Sequence, residues 1–298
     1  MPSSPLHAPV LEWYAGNARD LPWRSPGTTA WGVLVSEVML QQTPVARVEP
    51  VYRAWLTRWP TPAALAREPA GEAVRAWGRL GYPRRALRLH AAATEVVARN
   101  DGRLPTSYAG LRALPGVGDY TAAAVASFAH GARHAVLDTN VRRVLARAVG
   151  GTAQPAPTLT AAERVRAEAL LPDESAVAAR WAVAVMELGA LVCTARTPRC
   201  GGCPVAAGCA WRLAGAPAYE GPARRVQPFA GTDRQVRGLL MAVLRDRDPA
   251  DGPVGADELA AVWADDAQRD RALATLLADG LLVATPTAPT TPPTYRLP

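Results

Sequence analysis

Two acidic residues, Glu37 and Asp138, occupy positions where an acid–base pair could arise. Glu37 lies inside the apolar helical run Trp31–Gln42, where burial would raise its pKa. Asp138 precedes a helical run that begins near Thr139, and the helix dipole would keep its carboxylate ionised. One protonated and one ionised carboxyl group is the arrangement that cleaves glycosidic bonds. The alternatives are that Glu37 faces solvent in a polar stripe with Gln41 and that Asp138 only caps its helix.

Four cysteines form a second group of reactive side chains. They fall within 17 residues in the spacing C-x6-C-x2-C-x5-C, as Cys193, Cys200, Cys203 and Cys209. In a cytosolic chain, clustered thiols favour metal binding over disulfides. The spacing lacks the separated C-x2-C knuckles of most structural zinc sites and suits four thiolates around an iron–sulfur cluster. Zinc remains open from the spacing alone.

The segment Leu114–Gly118 separates two helical runs and predicts a helix-hairpin-helix motif. Gly116 and Gly118 permit a left-handed turn, after which the next helix directs unpaired backbone N–H groups outward. Those donors suit a DNA phosphate and carry no sequence information. The alternative is an ordinary turn between two helices with glycine at the cap.

The charge of the chain favours a polyanionic partner. Its 298 residues carry a net charge of +7, and all 33 basic residues are arginine. The absence of lysine excludes a lysine amine as nucleophile or Schiff base. Residues 232–298 have ten acidic residues against seven arginines, so a net +10 belongs to residues 1–231. We therefore expect nucleic acid to bind mainly the first part of the chain.

Helical periodicity with Pro and Gly stops predicts an all-α domain over residues 1–213, followed by a linker over 214–231. A small winged-helix-like domain is expected over 232–298. Its predicted elements are helices over 232–244, 257–263 and 267–278 and strands over 281–285 and 294–297. Neither a long apolar run nor a secretory signal pattern occurs, so we expect a cytoplasmic, nucleoid-associated protein.

Six segments between about residues 10 and 212 occur in the order of a known family. They are Leu21–Arg24, Trp31–Thr43, Gly81–Tyr82, Leu114–Thr121, Leu137–Leu145 and Glu187–Cys193, the last followed by the three later cysteines. In these segments the sequence resembles the endonuclease III superfamily of base-excision glycosylases, and most closely its MutY-type adenine DNA glycosylases. The string Ser36–Thr43 is the most specific match.

The resemblance implies a helix-hairpin-helix glycosylase core with a 4Fe–4S cluster on the four cysteines. It also implies removal of adenine mispaired with 8-oxoguanine or guanine in double-stranded DNA, after the base is flipped out of the stack. Glu37 would protonate the flipped adenine, and Asp138 would stabilise the oxocarbenium-like sugar. Relatives that also cut the strand carry lysine at the position of Tyr120, so we expect a monofunctional enzyme. We further expect a monomer without membrane attachment.

Other residues acquire roles through the same resemblance. Tyr120 and Asn140 match positions that hydrogen-bond around Asp138. Gln42 matches a residue that wedges into the base stack. The DNA- and substrate-binding residues implied in this way are Arg24, Trp31, Gln42, Tyr82, Gly116 and Gly118.

Three features depart from the family. Pro83 stands where a second tyrosine is common, Val183 stands where Gln or Glu often touches adenine, and the C-terminal part does not resemble the Nudix-like domain that checks for 8-oxoguanine. One rival interpretation is a thymine or uracil mismatch glycosylase; Glu37 disfavours it because a purine leaving group gains more from ring protonation. The other is a non-catalytic iron–sulfur DNA-binding protein, which predicts binding without base release.

Overall fold

The structure is a computed structural model that describes residues 4–221, 228–285 and 292–298. The described chain is mostly helical with a small C-terminal sheet, which confirms the predicted fold class. Its internal contacts divide it into two units, Met1–Glu37 with Leu104–Pro222, and Val38–Arg103 with Ala223–Pro298. This division differs from the predicted boundaries at 213 and 232, which stay a prediction. The predicted linker includes residues 222–227, which lie outside the described residues.

The helices and strands follow one another along the chain. The helices are α1 (His7–Asn17), α2 (Ala30–Met39), α3 (Val45–Arg58), α4 (Pro62–Ala66), α5 (Ala70–Trp77), α6 (Arg84–Arg99), α7 (Tyr108–Arg112), α8 (Asp119–His130), α9 (Thr139–Ala148), α10 (Ala161–Ala169), α11 (Ser175–Leu191), α12 (Ala210–Leu213), α13 (Asp233–Asp246), α14 (Ala256–Ala260) and α15 (Asp266–Ala278). The strands are β1 (Val254–Gly255), β2 (Val283–Thr285) and β3 (Thr294–Arg296).

In the first unit, α9 packs along α11. The contact is apolar: α9 contributes Val141 and Val144, and α11 contributes Trp181, Val185 and Leu188, all buried. These residues recur at spacings of three and four, so they share one face of each helix. Burial of each large side chain contributes about 1.5–3 kcal/mol. This packing fixes the first turn of α9, which Asp138 caps.

The predicted helix-hairpin-helix is formed by α7 and α8. Gly116 has a φ of 74°, a left-handed conformation that glycine adopts without strain. Gly118 is the extended N-cap residue of α8, and the helix after it is rich in buried alanine. Small side chains allow neighbouring elements to approach α8 closely, which positions the residues of its first turn.

In the second unit, α5 packs against α6, and buried tryptophans join α3 to α5. The rings of Trp55 and Trp59 meet edge to face at 4.7 Å, and those of Trp55 and Trp77 at 5.7 Å. Such pairs add about 0.5–1.5 kcal/mol to the stability gained from burial alone.

The C-terminal part of the second unit contains, besides its helices, a three-stranded antiparallel sheet of order β1-β3-β2. Val283 pairs with Arg296 and Val254 pairs with Tyr295. The predicted hairpin is therefore confirmed. The strand β1 was not predicted, because two residues give no alternating pattern to detect.

The helix α2 ends at Met39, although the sequence predicted a helical run to Gln42. Arg85 explains the difference, because its Nη1 donates to the carbonyl oxygens of Val38 (3.0 Å), Met39 (3.1 Å) and Gln41. Carbonyls that leave a last helical turn need another donor, and the guanidinium supplies it. Gln42 then takes a left-handed φ of 56°.

No helix within the described ranges combines the length and the apolar character that crossing a membrane requires.

Candidate active site

Glu37 is buried on α2, with 6% of its surface exposed. The hydroxyl of Tyr120 donates a hydrogen bond of 2.8 Å to Glu37 Oε2. Burial raises the pKa of Glu37 to about 7; the hydrogen bond from Tyr120 opposes this increase, and the charge of Asp138 contributes to it. The alternative of a solvent-facing polar stripe is excluded for Glu37.

Tyr120 lies in the first turn of α8 and connects the two carboxyl groups electrostatically. Burial, followed by the charges of Glu37 and Asp138, raises its pKa well above the ordinary value. The phenol is therefore neutral and acts as a hydrogen-bond donor at physiological pH.

Asp138 is the N-cap residue of α9, as the sequence predicted. Its Oδ1 accepts from the backbone N–H of Asn140 (2.9 Å) and of Val141 (2.7 Å), and its Oδ2 accepts from Asn140 Nδ2 (2.7 Å). Burial nevertheless raises the pKa of Asp138, and these hydrogen bonds oppose the increase. The sequence predicted that the helix dipole favours the ionised carboxylate, whereas the net shift of the Asp138 pKa is upward because burial outweighs the hydrogen bonds at the helix terminus. The two carboxyl groups differ in their hydrogen bonds. Three donors favour the ionised form of Asp138, and one favours the ionised form of Glu37.

A buried arginine fixes the orientation of Asn140. Arg143 Nη2 donates to Asn140 Oδ1 (2.8 Å) and to the carbonyl oxygen of Gly189 (2.7 Å). Its Nε donates to the carbonyl oxygen of Cys193 (2.7 Å). With Oδ1 occupied by Arg143, the amide nitrogen of Asn140 is the end that faces Asp138. The same guanidinium therefore contacts both the carboxylate site and the start of the cysteine loop.

Glu187 on α11 is fully buried and holds two arginines. It accepts from Arg19 through the backbone N (3.0 Å), Nε (2.8 Å) and Nη2 (2.7 Å), and from Arg24 Nη2 (3.0 Å). Although burial acts to raise it, hydrogen bonds from Arg19 and Arg24 bring the pKa of Glu187 down to about 2. Arg24 also lowers the pKa of Glu37 electrostatically. Its Nη1 is buried without a hydrogen-bond partner in the described part of the chain, which leaves a donor for a ligand.

The sequence did not predict the contacts of Glu187 with Arg19 and Arg24. The signal was present, because an acidic residue lies within the otherwise apolar run Trp181–Val192. Sequence reasoning also missed Arg143, whose partners lie up to 50 residues away.

The four cysteines form a compact loop after α11. Burial raises the pKa of the Cys203 thiol, and the other three thiols act on it in the same direction. Arg147 Nη1 approaches Cys193 Sγ at 3.4 Å and places a cation beside this donor set, which suits thiolates. In the described ranges, no three His, Cys, Asp or Glu side chains converge as ligands of a single metal ion. A four-iron cluster binds each thiolate through a different iron and requires no such convergence.

The remaining predicted site residues occupy three different environments. Trp31 is buried in α2, with 2% of its surface exposed. Gln42 and Tyr82 belong to the second unit, and both have left-handed backbone conformations, with φ of 56° and 49°. Gly116 and Gly118 lie in the hairpin before α8. The structure therefore brings Glu37 and Tyr120 together through one hydrogen bond and Asp138 and Asn140 through another, and the charge of Asp138 acts on Glu37.

Comparison with known proteins identifies the class first. Residues 35–168 match a family described as HhH-GPD superfamily base excision DNA repair protein, and residues 193–209 match the iron–sulfur binding domain of endonuclease III. The fold resembles a solved structure of a thermostable thymine-DNA glycosylase, with a TM-score of 0.63 and 27% identity over 70% of this chain and 94% of the other. Fold and site thus define a helix-hairpin-helix protein of base excision DNA repair. Its cysteine loop binds a 4Fe–4S cluster, and the zinc alternative is not supported.

The particular family follows from curated relatives. The chain is 53% identical over 277 residues to the adenine DNA glycosylase of Mycobacterium tuberculosis, covering 93% of this chain and 90% of the relative. It is 54% identical to that of Mycolicibacterium smegmatis, covering 93% and 92%. The chain belongs to the adenine DNA glycosylase family.

Proposed function

We propose that this protein is a monofunctional adenine DNA glycosylase that removes adenine opposite 8-oxoguanine or guanine. The observation that carries the proposal is the buried hydrogen bond between Tyr120 and Glu37, with Asp138 close enough to raise the Glu37 pKa. It supports an acid and a carboxylate at one site, which N-glycosidic bond cleavage requires.

Glu37 is the proton donor in this mechanism. A pKa of about 7 leaves a substantial fraction protonated at neutral pH, where an ordinary glutamate would be ionised. Once adenine is flipped out, the Glu37 proton passes to a ring nitrogen of its imidazole part. The bond between the sugar and adenine then breaks, and its electron pair leaves with the base as a neutral molecule.

Asp138 stabilises the sugar that remains. Loss of the base leaves positive charge on the anomeric carbon, and the carboxylate opposes that charge electrostatically. The donors from Asn140 and Val141 favour the ionised form of Asp138 and orient its carboxyl group for this role. Water then adds to the anomeric carbon and releases a proton, which completes hydrolysis. The chain contains no lysine, so a lysine imine and the strand cleavage that follows from it are excluded.

The 4Fe–4S cluster has a structural role in this proposal. Cys193, Cys200, Cys203 and Cys209 hold it, and no step of base release passes through it. When bound, it supplies the cross-link that orders the loop 193–209, and Arg143 joins the first residue of that loop to the active site.

Duplex DNA with a mismatch is the proposed partner, bound by a monomer at the chromosome in the cytoplasm. The N–H groups beside Gly116 and Gly118 would bind phosphate. Gln42 and Tyr82 would enter the base stack, and Arg24 and Trp31 would line the base pocket. Val183 on α11 would leave one edge of adenine without a hydrogen bond, and Pro83 would leave one side of the lesion without a second tyrosine.

A panel of mismatched duplexes tests the proposal. Adenine should be released opposite 8-oxoguanine and guanine, with an intact strand until alkali or heat is applied. Release of thymine or uracil opposite guanine, with adenine retained, would favour the pyrimidine glycosylase, whose fold this chain shares. Binding without release of any base would favour the non-catalytic alternative.

A further inference from the structure

Tyr82 is an exposed aromatic residue on a strained turn. Of its surface, 55% is exposed, and its φ of 49° lies in the left-handed region, which is costly for a bulky side chain. Gly78 and Gly81 in the same turn also have positive φ. We call residues 78–84 the probe turn. A ring held out in solvent at this cost suits stacking against a nucleobase.

The probe turn is held on its inner side by its own unit. Arg85 Nη2 and Trp77 Nε1 both donate to the carbonyl oxygen of Gly81 at 3.0 Å. The guanidinium of Arg85 also lies 5.4 Å from the centre of the Tyr82 ring. These contacts fix the middle of the turn.

The two ends of the probe turn are held by the C-terminal segment, residues 228–285 and 292–298. At the first end, Arg245 Nη1 donates to the carbonyl oxygen of Gly78 at 2.6 Å. At the second end, Asp279 Oδ1 pairs with Arg84 Nη1 at 3.1 Å, while Asp279 Oδ2 accepts from Arg237 Nη2 at 2.6 Å. The helix α13, through Arg245, and the C-cap residue of α15, Asp279, thus contact the turn on both sides of Tyr82.

The C-terminal segment is itself attached to α5, the helix that leads into the turn. Arg75 Nη1 donates to the carbonyl oxygen of Arg247 at 2.7 Å and also to that of Arg245. The N–H of Gly71 donates to the carbonyl oxygen of Pro298 at 2.6 Å, and a Cβ at position 71 would lie 2.5 Å from that oxygen. Because these contacts attach the C-terminal segment to α5, they restrict how far Arg245 and Asp279 can move relative to the turn.

We infer that the C-terminal segment acts as a brace that holds Tyr82 in its base-probing position, through Arg245 at Gly78 and Asp279 at Arg84. This inference rests on the proposed function and gives a role to residues 228–298, whose net negative charge argues against a DNA grip of their own. Arg245 and Asp279 are positioning residues, because they act on DNA only through the turn.

The test compares two brace variants with two matched controls. The brace variants are Asp279→Asn and Arg245→Met. The controls are Asp233→Asn and Arg271→Met, which remove the same charges from a pair that lies within the C-terminal segment and does not contact the turn. Single-turnover excision is measured on adenine opposite guanine and on adenine opposite a stable abasic analogue. The second substrate lacks the base pair that must be broken.

The brace variants should slow excision opposite guanine by roughly tenfold, within the range of coupling between residues in contact, and should slow excision opposite the abasic analogue much less. The controls should match the wild type on both. Burst amplitudes correct each rate for the fraction of active enzyme, so partial misfolding does not imitate the effect. Equal losses on both substrates, or no loss on either, would overturn the brace.

A double-mutant cycle with Tyr82→Ala separates the brace from a general structural role. If Asp279 acts through Tyr82, Asp279→Asn should have little further effect once the ring is gone. Additive losses would contradict the inference. A wild-type protein that releases no adenine from any duplex would instead refute the proposed function.

Discussion

The hydroxyl of Tyr120 lies 2.8 Å from Oε2 of Glu37, although the two residues are 83 positions apart. The bond couples the first turn of α8 to the C-terminal half of α2. It also favours the ionised form of Glu37 and lowers its pKa, whereas burial raises that pKa.

Removal of this hydrogen bond should shift the pH dependence of base release. In Tyr120→Phe the lowering effect on Glu37 is lost, so its pKa should rise above about 7. Glu37 is active when protonated, and the decline of the excision rate with rising pH should therefore begin at higher pH than in the wild type. Single-turnover rates measured across the neutral range check this. A decline at the wild-type pH or at lower pH would show that Glu37 is not the group that titrates.

A methyl group at position 189 should collide with Asn140 and so disturb the active site. A Cβ there would lie 2.7 Å from Asn140 Cβ and 2.8 Å from its carbonyl oxygen. Gly189→Ala should therefore destabilise the fold by about 1–3 kcal/mol and slow excision by displacing the start of α9. Gly238→Ala is the control, because a Cβ on that helical glycine meets nothing within 4 Å. Equal unfolding temperatures for the two variants would contradict this packing.

The two ion pairs that buried Glu187 forms with Arg19 and Arg24 should make the stability of the fold depend on pH. The folded pKa of about 2 lies below the ordinary value of 4.5, so ionised Glu187 stabilises the fold above pH 4.5 and this stabilisation is lost as pH falls towards 2. Glu187→Gln should be less stable at pH 7 and should lose less stability on acidification. Denaturant unfolding at several pH values measures both. If the variant loses stability on acidification as the wild type does, groups other than Glu187 are responsible for that loss.

Loss of one cluster ligand should affect folding and DNA affinity more than chemistry. Cys200→Ser should lower the iron content from the expected four atoms per chain, the unfolding temperature and duplex binding. The excision rate per correctly folded molecule should change little, since no catalytic step uses the cluster. A fully loaded and stable variant would contradict the structural role.

The sequence was sufficient where the relevant physics is local. Asp138 as a helix cap, the glycine hairpin at Gly116 and the apolar surroundings of Glu37 all depend on neighbouring residues. The partners of Arg85 and Glu187 could not be predicted in the same way. Arg85 binds carbonyls 44–47 residues away, and Glu187 binds arginines 163–168 residues away. Such contacts exist only once helices have packed, and those of Arg85 lie where α2 ends, three residues before the predicted position.

The net pKa of Asp138 shows the same limit. The helix terminus and its donors were visible in the sequence and favour the carboxylate. Burial, which raises the pKa, depends on the tertiary packing around Asp138 and was not visible in the sequence.

The most direct measurement of the central claim is single-turnover release of adenine from a duplex with guanine opposite, by Glu37→Gln and Asp138→Asn beside the wild type. Both variants should bind the duplex with near wild-type affinity and release no adenine above background, because one has lost the proton donor and the other the stabilising charge. Near-normal release by either variant would contradict the assignment of an acid and a carboxylate to these two positions.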